Sequence, residues 1–109
     1  MKDTDEISEA LLKFRNERDW KQFHNPKDLA VAISIEAGEL LESYLWKDFS
    51  EVKIEKVKEE LADVFAYAFL LAEFYSFDVK SILMEKIAKN GEKYPIEKSK
   101  GIANKYDQL

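Results

Sequence analysis

Two pairs of acidic residues have a spacing that could hold a divalent cation. Glu36 and Glu39 are separated by one helical turn, and so are Glu60 and Asp63. Steps of three along an α-helix keep side chains about 60° apart, so each pair would form an acidic ridge. Four carboxylates brought together resist ionisation unless a cation compensates them, and their hard oxygens favour Mg²⁺, with Mn²⁺ as the alternative. The spacing therefore predicts a site for Mg²⁺.

The alternative interpretation is that each acidic pair is a solvated face beside lysines, as we expect for Glu51, Glu55 and Lys58. Both pairs border apolar runs, however, and carboxylates are rarely buried without a partner, which favours the cation site. A di-iron bundle would use Glu-x-x-His on two helices, and the single histidine, His24, lies outside these segments. Iron is therefore disfavoured.

Two further acidic residues flank these pairs. Glu42 extends the first ridge by one step, as an outer ligand or base or as a solvated residue at the edge of the bundle. Glu59 would point about 100° away from Glu60, and we interpret it as structural.

Helical periodicity predicts the elements that must position these carboxylates. Apolar residues recur at helical spacing, and Asn25, Ser50 and Asp78 suit helix caps, while Gly91 suits a helix end. The three glycines and two prolines leave little turn chemistry for β-structure. We predict an all-α, four-helix bundle forming one domain over 1–109, with helices at about 4–20, 26–47, 51–75 and 78–90 and an irregular tail over 91–109. If the second and third helices pack antiparallel, Glu39 would meet Glu60.

Composition restricts the partners of the protein. The formal net charge of −5 would repel a nucleic-acid polymer or an anionic membrane, whereas a bound cation would still permit a small phosphate ligand. The absence of cysteine excludes disulfides and thiolate metal sites. The acidic N-terminus and the lack of a long apolar run predict neither a signal peptide nor a membrane span, so we expect a cytoplasmic location.

The acidic motifs Glu36-Ala37-Gly38-Glu39 and Glu60-Leu61-Ala62-Asp63 resemble those of the MazG-like, all-α nucleoside triphosphate pyrophosphatases. The segments 18–26 and 89–95 look like flanking segments of the dCTP pyrophosphatase branch, so the resemblance covers roughly 15–101. It implies Mg²⁺-dependent hydrolysis of a nucleoside triphosphate, such as dCTP or a modified dCTP, to the monophosphate and pyrophosphate. It also implies that the metal and catalytic residues are Glu36, Glu39, Glu60 and Asp63.

A nucleotide base requires aromatic stacking and a few hydrogen-bonding groups, and its phosphates require positive or amide groups. The resemblance favours a base-binding role for four residues: Trp20, His24, Trp46 and Tyr67. Each could instead pack in the core or form a hydrogen bond within a loop. Near the end of the fourth helix, three candidates could reach the substrate or could simply complement the helix dipole: Asn90, Lys93 and Tyr94.

The second and third predicted helices are apolar around most of their circumference, which predicts self-association. The resemblance implies homodimers or dimers of dimers, which would bury that apolar surface. Two rival functions remain at this point: a non-enzymatic helical interaction module, and a pyrophosphohydrolase acting on phosphoribosyl-ATP-type intermediates.

Overall fold

A computed structural model describes residues 3–105 and residue 107, and within this part the regular elements are all helical. The helices are α1 (Asp3–Glu17), α2 (Pro26–Glu42), α3 (Ile54–Phe74), α4 (Val79–Lys93) and the short α5 (Ile96–Ser99). Single 3₁₀ turns occupy Lys21–Phe23 and Phe49–Glu51. The predicted all-α class with four principal helices is confirmed.

The chain divides into two compact units, one extending to Phe77 and the other beginning at Asp78. In the first unit, α3 packs along α2 and also contacts α1. The second unit contains α4 and α5. The single-domain organisation expected from the length of the chain stays a prediction.

Helix α2 begins where the sequence predicts it. The Asn25 side chain accepts a hydrogen bond from the Asp28 N–H at 2.9 Å, and Pro26 occupies the first helical position. Pro suits this position because its missing N–H would have no partner within the helix. Asp78 caps α4 in the same way by accepting from the Ser81 N–H at 3.0 Å. These two predicted caps are confirmed.

Both α1 and α3 end in a Schellman motif. After α1, the Trp20 N–H donates to the Arg15 carbonyl at 3.0 Å and Asp19 adopts a φ of 54°. After α3, the Phe77 N–H donates to the Ala72 carbonyl at 2.9 Å and Ser76 adopts a φ of 57°. These bonds satisfy carbonyls that the helix itself leaves without a donor. The first motif also fixes the direction in which Trp20 leaves α1.

The expected end of α2 near Lys47 is wrong, because the helix ends at Glu42 and turns follow it. Trp46 in that segment has a φ of 63°, which no α-helix can accommodate. Ser50 does not cap α3; its hydroxyl donates to Asp48 Oδ2 at 2.6 Å within a 3₁₀ turn. α3 begins only at Ile54, after Lys53.

The expected helix end at Gly91 is also wrong, because α4 continues through that glycine to Lys93. Pro95 provides the physical stop, since a proline disfavours helical geometry at the residue before it. α5 then makes part of the supposedly irregular tail helical. The last positions of that tail, 106 and 108–109, lie outside the described residues.

Few apolar side chains of the described part are fully buried. Leu29 is 2% exposed, and Leu70 and Ala72 are each 7% exposed. By contrast, Ile35 on α2 and Phe65 on α3 each remain 57% exposed. Among the described residues, no helix has the length and apolar composition needed to cross a membrane.

Candidate metal centre and aromatic cleft

Three of the four predicted carboxylates form a compact cluster where α2 packs on α3. Glu36, Glu60 and Asp63 can each present one oxygen such that these atoms lie within 4.8 Å of one another. Glu60 is buried, Glu36 is half-buried and Asp63 is exposed. Each pair occupies one turn of its helix, so packing of the two helices converts two ridges into one site.

The fourth carboxylate, Glu39, lies against the same cluster. Hydrogen bonding with Glu36 and then with Glu60, together with repulsion from both charges and some desolvation, raises the pKa of Glu39 to about 7 from an ordinary 4.5. The structure thus brings Glu39 next to Glu60, as the antiparallel hairpin predicts. Near neutral pH the Glu39 carboxyl is therefore partly protonated.

Lys56 belongs to this centre although it was not among the predicted site residues. Its Nζ donates to Glu60 Oε1 at 2.9 Å across one turn of α3. This bond lowers the pKa of the Glu60 carboxyl and raises that of the Lys56 ammonium. The i, i+4 spacing of Lys56 and Glu60 was the available signal, since such pairs face each other on a helix.

The residues present fit a hard divalent cation. The Oε2 atoms of Glu36 and Glu60 are buried and have no hydrogen-bond donor among the described residues. A buried acceptor without a donor is costly, and a cation coordinated by these oxygens would relieve that cost. The cluster consists only of carboxylates, which is the ligand chemistry of Mg²⁺ and Mn²⁺.

A cleft of about 150 Å³ adjoins the cluster at Asp63. Three of the predicted base-binding residues, Trp20, His24 and Tyr67, line this cleft together with Asp63. The remaining lining residues are Leu11, Phe14, Arg15, Ala66 and Leu70. Aromatic walls beside an acidic centre are what a nucleotide requires, because its base is flat and its phosphates take a metal.

Edge-to-face ring contacts hold the cleft walls in place. The His24 and Tyr67 rings meet with centroids 6.5 Å apart, and the Phe14 and Trp20 rings meet at 5.8 Å. The Arg18 guanidinium covers the Phe14 ring at 3.6 Å. These contacts join the 18–25 segment to α3 and α1, so the rings are positioned by the fold itself.

His24 presents a polar atom inside this apolar wall. Its Nδ1 is buried and has no hydrogen-bond partner among the described residues. Burial, and secondarily the Arg15 charge, lower the pKa of the His24 imidazole. A neutral imidazole offers one donor and one acceptor, which suits the polar edge of a base.

Trp46 lies outside the residues that line the cleft. It is 98% exposed, so this chain does not use it for core packing. Its positive φ of 63° is unusual for a bulky residue, and such strain tends to occur at functional positions. Its predicted role in substrate binding stays a prediction.

The three remaining candidates lie in the second compact unit. Asn90 and Lys93 occupy the last turn of α4, and the Tyr94 N–H donates to the Asn90 carbonyl at 2.8 Å. Their clustering at one helix end follows from their spacing. Their contact with a substrate stays a prediction.

Arg15 is the second site residue that sequence reasoning missed. Arg15 was not among the predicted site residues, yet it lines the cleft and is half-buried. Its position one turn after Leu11, which lines the same cleft, was the available signal.

Comparison with known proteins identifies the family of this chain. A sequence model described as the MazG-like family matches residues 31–109, so the chain belongs to that family. It is similar to dCTP pyrophosphatase 1 of Mus musculus, with 34% identity over 96% of this chain and 66% of the mouse protein. The human dCTP pyrophosphatase 1 is 32% identical, again over 96% of this chain and 66% of its own length. This chain thus spans about two thirds of these relatives.

A solved structure agrees with the sequence comparisons. A pyrophosphatase from Archaeoglobus fulgidus superposes with a TM-score of 0.81 and 36% identity, covering 87% of this chain and 94% of that one. The family predicted from the acidic motifs is therefore confirmed, and pyrophosphatase is the enzyme class that its relatives share.

Proposed function

We propose that the protein is a Mg²⁺-dependent nucleoside triphosphate pyrophosphohydrolase that converts dCTP, or a modified dCTP, to the monophosphate and pyrophosphate. The observation that carries this proposal is the double position of Asp63. This carboxylate belongs to the cluster with Glu36 and Glu60 and also lines the aromatic cleft. A ligand with a flat base at one end and a metal-bound polyphosphate at the other would use both features.

The names of the relatives support the substrate class. The mouse and human proteins are named for dCTP, and the archaeal protein is named as a pyrophosphatase. Because this chain spans about two thirds of the mouse and human relatives, the nucleotide itself is part of the proposal.

Each side chain would have a defined task in the reaction. Glu36, Glu39, Glu60 and Asp63 would hold Mg²⁺, which neutralises triphosphate charge and lowers the pKa of a bound water. A water oxygen would form a bond to the α-phosphorus, and the bond from that phosphorus to the bridging oxygen would break so that pyrophosphate leaves. A carboxylate of the cluster accepts the proton of the water. Trp20, His24 and Tyr67 would hold the base, with Trp46, Asn90, Lys93 and Tyr94 as further substrate contacts.

We also propose that the active form is a homodimer or a dimer of dimers. Support comes from the exposed apolar side chains on α2 and α3, such as Ile35, Leu41 and Phe65, which are 57%, 61% and 57% exposed. Large apolar side chains with this exposure are candidates for burial against another chain. A second copy would cover that surface.

The test of the reaction is pyrophosphate release from canonical and modified nucleoside triphosphates, with phosphoribosyl-ATP included in the panel. We expect release from dCTP that requires Mg²⁺ and that falls at least about a hundredfold in Glu39→Gln and Asp63→Asn. Glu59→Gln is the matched control, since Glu59 lies beside the cluster in sequence but is exposed and outside it.

Other outcomes would favour the rival functions. Turnover of phosphoribosyl-ATP in preference to every nucleoside triphosphate would reassign the substrate. Absence of turnover across the whole panel, with Glu39→Gln folded and still associating normally, would favour the non-enzymatic interaction module.

A further inference from the structure

The aromatic cleft contains a cation, Arg15, that forms no ion pair among the described residues. Arg15 is half-buried and lines the cleft with Trp20, His24 and Tyr67. Within residues 3–105 and 107, no carboxylate lies within 4.0 Å of its guanidinium nitrogens. In a protein with a net charge of −5, a cation in a cleft that forms no ion pair there is available to a ligand.

The neighbouring amide orients this guanidinium. Arg15 Nε and Nη2 both donate to Asn16 Oδ1 at 3.1 Å. This uses one edge of the planar group and leaves the Nη1/Nη2 edge with two parallel N–H donors. Arginine recognises acceptor pairs through such a fork, and a fork that is already oriented loses less entropy on binding.

Arg15 shares the cleft with the ring side chains Trp20, His24 and Tyr67. Its charge helps to lower the pKa of His24, so the two side chains interact electrostatically. A ligand group beside Arg15 would therefore be the base of a nucleotide held between the rings.

We propose that Arg15 is a specificity-determining residue that donates its two free N–H groups to the N3 and O2 acceptors of a cytosine base. This inference rests on the proposed function and adds to it the residue that distinguishes cytosine from the other pyrimidines. Asn16 is a positioning residue, because it acts only by orienting the guanidinium.

The donor pattern of the bases gives the selectivity. Cytosine presents N3 and O2 as adjacent acceptors, and a guanidinium fork can pair with both. Uracil and thymine carry a hydrogen on N3, so one donor of the fork would face another donor. Adenine places an amino donor beside N1, and guanine offers an acceptor pair only at O6 and N7, on its larger ring system. Arg15 thus favours a cytosine nucleotide.

The experiment measures kcat and KM for dCTP and dUTP with the full chain and Mg²⁺, comparing wild type with Arg15→Ala and Arg15→Lys. We expect both variants to raise KM for dCTP about tenfold to a hundredfold while leaving KM for dUTP within about threefold. kcat should stay close to wild type, because the fork binds the base equally in the ground and transition states. Lysine keeps the charge but lacks the planar fork, so it should not rescue.

Two controls make the result specific. Lys13→Ala removes a positive charge from the exposed face of α1 and should leave the dCTP to dUTP ratio unchanged. Asn16→Ala should weaken dCTP binding in the same direction as Arg15→Ala but by a smaller factor, because the guanidinium remains and is only less well oriented. Thermal unfolding of each variant reports whether the fold is retained.

Failure of this inference is distinguishable from failure of the proposed function. If wild type hydrolyses dCTP but Arg15→Ala changes KM for dCTP and dUTP equally, with rescue by lysine, Arg15 binds phosphate by charge and the inference is wrong. An unchanged substrate ratio in every Arg15 variant would also refute it. If wild type releases no pyrophosphate from any nucleoside triphosphate, the proposed function itself fails.

Discussion

At the scale of single residues, bringing the carboxylates of the cluster together costs free energy through electrostatic repulsion. Glu36, Glu39 and Glu60 repel one another, and the metal-free protein reduces this repulsion by two means. One is the proton favoured by the raised pKa of Glu39, and the other is the Lys56 ammonium on Glu60. Each can be tested separately.

The proton on Glu39 makes the stability of the metal-free protein depend on pH. The pKa of Glu39 is about 7 in the fold and 4.5 ordinarily, so its stabilising contribution is complete below pH 4.5 and is lost as pH rises through 7. Glu39→Gln stays neutral throughout. We expect equal melting temperatures near pH 4.5 and a higher melting temperature for Glu39→Gln at pH 8, measured in EDTA.

Saturating Mg²⁺ should reverse that order at pH 8, since the cation stabilises the charged wild-type cluster more than the variant. A melting-temperature difference that is the same at pH 4.5 and pH 8 would contradict the assigned pKa.

Lys56 should matter far more without metal than with it. In Lys56→Met, the buried Glu60 carboxylate loses its ion-pair partner, which stood at 2.9 Å. Bound Mg²⁺ would then neutralise the Glu60 carboxylate, which has no other close cation among the described residues in this variant. We expect a lower melting temperature than wild type in EDTA and a larger rise on adding Mg²⁺, followed by differential scanning calorimetry.

Lys58→Met is the matched control on the same helix. Its partner Glu55 is 4.0 Å away and both side chains are exposed, so the pair contributes little. Equal responses of the two variants to EDTA and to Mg²⁺ would argue against a role for Lys56 in the centre.

At the scale of helices, Gly38 can be used to test whether another molecule approaches α2 between Glu36 and Glu39. Gly38 lies in α2 between Glu36 and Glu39, and an added Cβ would meet nothing within 4 Å. Gly38→Ala should therefore stabilise the protein by about 0.5–1 kcal/mol, because glycine weakens a helix interior. Urea denaturation would measure this gain.

Gly91 in α4 is the matched control, since its Cβ would also find open space within 4 Å. Gly91→Ala should give a similar gain with activity retained. Loss of turnover in Gly38→Ala alone would mean that a substrate or a second copy approaches the backbone there. Destabilisation of the isolated protein by either change would contradict the open space around these glycines.

Local signals in the sequence were sufficient for some helix ends and insufficient for others. Asn25-Pro26 and Asp78 carry their capping chemistry in their side chains, so these starts could be predicted. The end of α2 could not, because the chain tightens into turns with i−3 hydrogen bonds from Ser43 onward, where no proline or glycine marks a stop. Gly91 is tolerated inside α4, and Pro95 supplies the actual stop.

In the site, too, some residues could be predicted from local sequence signals and others could not. Helical spacing was enough to pair Glu36 and Glu39 with Glu60 and Asp63, because a short hairpin leaves few alternative registers. Arg15 was missed because its environment depends on how α1 packs on α3 and on the direction in which Trp20 leaves α1. That packing joins segments about fifty residues apart, which no local pattern encodes.

At the scale of the whole molecule, the first unit leaves many large apolar side chains exposed, which supports the proposed association. One apolar hollow between α1 and α3 is lined by Ile7, Leu11, Ala62, Phe65, Ala66 and Phe69. Leaving large apolar groups in water forgoes about 25 cal/mol for each Å² that could be buried. Association with a second copy is the physical alternative.

Phe65→Gln should weaken this association, because Phe65 is 57% exposed on α3 and contributes a large apolar ring to the hollow. Loss of an aromatic anchor from an interface typically costs about 2 kcal/mol or more, so the dissociation constant should rise at least about thirtyfold. Sedimentation over a range of concentrations measures it. Glu59→Gln, on the same helix but outside the hollow, should leave the sedimentation profile unchanged. If the wild-type protein sediments as a monomer at all concentrations, its apolar surface is stable in water and the assembly proposal is wrong. If Phe65→Gln dissociates but keeps full turnover, the active site is complete within one chain.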